Sequence, residues 1–78
     1  MRNIYDVVDR MIPLIPEDEG ALLFELRSLR QSALYAAPES ARMWWTEFHR
    51  VINEYLPPPG SQLTEWQTSV VNIFMDKA

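Results

Sequence analysis

Cysteine is absent from this chain of 78 residues. That excludes a disulfide framework, a Cys-based zinc site and a thiol nucleophile. Histidine occurs once, at His49, so a zinc site would need carboxylates for most of its ligands. Glycine occurs only twice, as Gly20 and Gly60, which is too few for a phosphate-cradling loop. No apolar run approaches the ~18 residues of a membrane span. The opening Met1-Arg2-Asn3-Ile4-Tyr5-Asp6 lacks the basic-then-apolar order of a signal peptide. These absences lead to the expectation of a soluble, cytoplasmic protein with no membrane association.

What is present describes one folded domain over residues 1–78. The chain is 47% hydrophobic and 23% charged, with eleven Asp+Glu against seven Lys+Arg and a net charge of −4. That balance is far from the composition of disordered chains. Proline supplies the punctuation: Pro13, Pro16, Pro38 and the run Pro57-Pro58-Pro59 separate four segments, all with helical rather than strand periodicity. The expected fold is all-α, a small bundle of three main helices plus a short N-terminal one, spanning residues 3–12, 17–36, 38–56 and 62–75.

Asn3 is a suitable N-cap for the first helix, with Asp6 at the positive end of its dipole. Ile4, Val7, Val8, Met11 and Ile12 form its apolar stripe, and Pro13 is expected to force Ile12 out of helical geometry. Leu14 and Ile15 then read as an extended, inward-packing link. Pro16 and the acidic Glu17-Asp18-Glu19 read as the first turn of the second helix. Its seam is Leu22, Leu26, Leu29, Ala33 and Ala36, widened by Leu23 and Leu34.

The third helix opens at Pro38. It places Ala41, Trp44, Trp45, Phe48, Val51, Ile52, Tyr55 and Leu56 within an arc of about 140°. Thr64 and Gln67 make a capping box for the fourth, whose buried face is Leu63, Trp66, Val70, Ile73 and Phe74. Asp76-Lys77-Ala78 is expected to fray. Nine aromatic residues would give a Trp-rich core, a substitute for the metal or disulfide that small domains often need.

The chemistry-bearing residues converge on nothing. No serine stands in a Gly-x-Ser-x-Gly turn, no His/Glu spacing suits a metal, and Glu17-Asp18-Glu19 lacks the alternating oxygen ligands of a calcium loop. No enzyme, catalytic residue, cofactor or metal is expected. Six of the seven basic residues are arginine, and Arg27, Arg30, Arg42 and Arg50 could line helix faces toward nucleic acid. The net negative charge, and the carboxylates close to each arginine, count against that.

Protein recognition remains. Tyr5, Phe24, Tyr35, Met43 and Met75 fall off the buried stripes, and clustered aromatic and Met residues have the composition of an interface centre. The expected function is therefore a non-catalytic interaction module that binds a protein partner or itself as a homodimer. The alternative is a nucleic-acid-associated regulator using the four arginines. In type, a short acidic helical chain without enzyme motifs resembles the accessory products that phages and prophages encode. No matched motif carries that likeness and no residue role comes with it.

Overall fold

The computed structural model describes residues 3–58 and 60–75. Pro59 of the proline run and the expected fraying of Asp76-Lys77-Ala78 lie outside that range. The described residues are 76% helical and include no strand. Four helices follow in order: α1 (Ile4–Met11), α2 (Gly20–Tyr35), α3 (Ala41–Tyr55) and α4 (Glu65–Phe74). Helix α2 packs against both α1 and α3, while α4 packs on α1 and on the short turn that follows it.

Local chemistry sets most of the ends. The Asn3 side chain accepts from the Asp6 backbone N–H at 3.3 Å, which satisfies one of the free donors at the start of α1. Thr64 and Gln67 form the complete reciprocal box: Thr64 Oγ1 accepts from Gln67 N, and Gln67 Oε1 accepts from Thr64 N. Gly60, with φ 89°, makes the left-handed turn between α3 and α4 that a side chain would resist.

Four boundaries depart from the sequence reading. Ile12 keeps helical angles (φ −52°, ψ −46°), because Pro13 sits in the first turn of a 3-10 helix, Ile12–Leu14, that continues α1. That turn points Leu14 outward, 41% exposed, and only Ile15 packs inward. Helix α2 starts at Gly20 rather than at residue 17. The Glu19 N–H donates to the Pro16 carbonyl at 3.0 Å and Glu19 has ψ 53°, so residues 16–19 form a separate turn. The three acids still flank the positive end of α2. Likewise Pro38–Ser40 is a 3-10 turn that leads into α3, and α4 begins at Glu65, after its cap, rather than at residue 62.

The core is contiguous. Val7, Val8 and Met11 of α1, Leu22, Leu26 and Leu29 of α2, Phe48, Val51 and Ile52 of α3, and Val70 and Ile73 of α4 are buried together. Trp44, Trp45 and Trp66 are partly buried and pack against this cluster, with Tyr55 and Phe74. Phe48 is the aromatic at its centre, with Trp45 5.7 Å away and Phe74 5.0 Å away, ring centroid to centroid. Leu34, expected to widen the α2 seam, is instead 51% exposed. It lies nearly a quarter-turn from the opposite pole of the helix, beyond the strip that α1 and α3 cover.

Candidate apolar docking face on α2

Helix α2 carries apolar side chains on two sides. Leu22, Leu26, Leu29 and Ala33 form one row that faces the core. At 100° per residue, Phe24, Gln31 and Tyr35 fall within about 40° of one another on the opposite side. Phe24 is 69% exposed and Tyr35 78%, and exposed Leu34 stands on the flank of the same face. Along the axis Phe24 and Tyr35 are about 16 Å apart. The covered side is continuously apolar, whereas the outer side sets these two aromatics among exposed Arg27, Ser28 and Gln31.

The charges of that face are sparse. Glu25, the nearest acid within the helix, turns away from it toward α3 and is held at 3.4 Å from Arg50 Nη2. Arg27 is the one cation on the outer row of α2; it is exposed and makes no ion pair among the described residues. A broad open concavity of about 830 Å³ lies here, lined by Glu17, Gly20, Leu23, Phe24, Arg27 and Gln31. A second groove, about 420 Å³, runs between α1, α2 and α3 beside Tyr5, Leu34, Pro38, Trp44 and Trp45.

The five off-stripe residues do not make one patch. Phe24 and Tyr35 share the α2 face. Met43 is 54% exposed on α3, at the head of the row that continues through Glu47 and Arg50 to Glu54. Met75 is exposed just past the end of α4, which packs on α1 rather than on α2. Tyr5 is half-buried beneath Arg30, whose guanidinium carbon lies 5.4 Å from the ring centroid. Sequence reasoning missed Leu34, because its wheel position is intermediate between the two faces.

The four arginines divide in two. Arg30 Nη1 donates to Asp9 Oδ1 at 2.7 Å, tying α2 to α1. Arg50 donates to Glu47 at 3.1–3.3 Å, to Glu54 at 2.6 Å and to Glu25 at 3.4 Å. The hydrogen bond to Glu47 is the main reason that its guanidinium is held above the ordinary arginine range. Arg27 and Arg42 are exposed and outside these pairs.

Among the described residues no polar or charged residue is buried, and no group of three His, Asp or Glu side chains is placed to hold a metal ion. His49 is exposed, its ring edge-on to Phe74 at 4.8 Å, with no carboxylate bonded to it. No helix is long and apolar enough to cross a membrane among the described residues. The chain matches no family model, no curated protein and no solved structure.

Proposed function

We propose that this chain is a non-catalytic, cytoplasmic accessory module that works by docking another polypeptide on the outer face of α2. The observation that carries the reading is the pair of strongly exposed aromatics on the outer side of that helix, Phe24 and Tyr35, with exposed Leu34 on the flank. Exposed aromatics at helical spacing, set among Arg27, Ser28, Gln31 and Ser32, have the composition of an interface centre with a polar surround. The nucleic-acid alternative has weaker support. Arg30 and Arg50 are engaged by carboxylates of their own chain, which leaves Arg27 and Arg42 against a net charge of −4.

Site-specific photocrosslinking in cells tests the proposal. A benzophenone amino acid at position 24 or 35 is expected to yield protein adducts, and the same group at exposed Asn53 of α3 far fewer. Equal yields at all three positions, or none, would overturn it. Adducts with nucleic acid in place of protein would move the assignment to the alternative.

A further inference from the structure

The outer row of α2, together with the turn that precedes it, carries exposed charges of both signs that no ion pair among the described residues engages. Gly20, Phe24, Arg27 and Gln31 are spaced by four, three and four, which sets them in one stripe along the helix. Glu17, from the turn before the helix, lines the same concavity as Gly20, Phe24 and Arg27 of this stripe. Both charged residues are exposed, and neither has an ion-pair partner among the described residues. The stretch from Gly20 to Arg27 alone spans about 10 Å. At Gly20 no heavy atom stands within 4 Å of where a Cβ would be, so the stripe is notched beside the protruding Phe24 ring.

We propose that two copies of the chain associate through this stripe, antiparallel about a two-fold axis at the level of Leu22. That axis exchanges position 20 with position 24 along the helix and carries Arg27 of the partner subunit toward the turn before α2, from which Glu17 lines the concavity. Glu17 of each copy then meets Arg27 of the partner subunit, and each Phe24 ring enters the notch at Gly20 of the partner subunit. The contact is isologous, so each complementary pair forms twice. The inference rests on the docking face proposed above and names its occupant as a second copy. A stripe of this length falls below the ~800 Å² per partner of a standard interface, so the dimer forms reversibly with concentration.

Sedimentation equilibrium of the full chain, from low micromolar to millimolar, tests the register by charge exchange. Wild type is expected to show a monomer–dimer equilibrium. Glu17→Arg and Arg27→Glu should each raise the dissociation constant at least about tenfold, because like charges then face each other twice. The double variant carrying both changes should return toward the wild-type constant. Phe24→Asp, at an exposed position, should keep its helical circular dichroism and remain monomeric. A wild-type monomer at every concentration overturns the inference while leaving the docking face to the crosslinking result. A dimer indifferent to the single reversals, or reversals that the double variant fails to rescue, overturns it as well.

Discussion

The ring of Phe74 stands edge-on to that of Phe48, with centroids 5.0 Å apart and planes at 89°. This contact ties the end of α4 to the centre of α3, while the remainder of α4 rests on α1 and the turn after it. The edge of one ring meets the face of the other, the favoured arrangement for two aromatic quadrupoles. Phe74→Ala should therefore cost about 2 kcal/mol, less than a fully buried Phe because the ring is only partly covered. In a domain of this size that lowers the melting temperature by about 10 °C. Hydrogen exchange should quicken first in the amides of α4. If exchange rises evenly through all four helices, the contact is not a local tether.

The two glycines should respond to alanine with opposite signs. Gly20 opens α2 with space around it, and its φ lies outside the left-handed region. An added methyl there reduces the freedom of the unfolded chain, so Gly20→Ala should gain about 0.5–1 kcal/mol. Gly60 has φ 89°. Nothing crowds its missing Cβ, yet the backbone itself resists a side chain, so Gly60→Ala should cost about 1 kcal/mol. Thermal melts at high dilution should separate the two variants by about 10 °C. Two shifts of the same sign would contradict the backbone argument.

How far the sequence reveals this molecule depends on the range of the interaction. Asn3 and the Thr64–Gln67 box act within one turn, and both cap the helices that their spacing suggests. The Leu22–Leu26–Leu29 seam lands in the core because helical period and apolar content agree. Leu34 does not, because a wheel shows direction but not how wide a strip two neighbouring helices cover. The start of α2 misleads for a similar reason: an acidic stretch after proline suits a first turn, and only the bond from Glu19 to Pro16 shows a separate one. At the site, Phe24 and Tyr35 are legible as off-seam residues eleven positions apart. The capture of Arg30 by Asp9, twenty-one residues away, is a consequence of how α1 and α2 meet and has no local signal.

Trp44 carries the clearest internal tension. Its indole Nε1 is buried among the described residues without a hydrogen-bond partner. Such a donor forfeits about 1–3 kcal/mol of hydration. Trp44→Phe removes the donor and part of the packed area together, so the two effects should nearly cancel. The melting temperature should stay within about 4 °C of wild type. A drop beyond about 8 °C would mean that packing by the larger ring outweighs the orphaned N–H.

Arg50 should influence stability through salt rather than pH. Hydrogen bonding to Glu47, reinforced by the charges of Glu47, Glu54 and Glu25, raises its pKa from an already high value. A basic group with a raised folded pKa lends stability that is complete below its unfolded pKa and fades only as pH climbs through the folded one. For an arginine both lie beyond the range in which proteins are ordinarily handled. The gap in melting temperature between wild type and Arg50→Met should therefore be constant from about pH 6 to pH 10, where arginine stays charged. It should narrow in molar salt, because the side chain is 49% exposed and ions screen it from its three carboxylates. A gap that closes with rising pH in this window, or that survives molar salt unchanged, would mean that Arg50 contributes chiefly by packing its aliphatic stem.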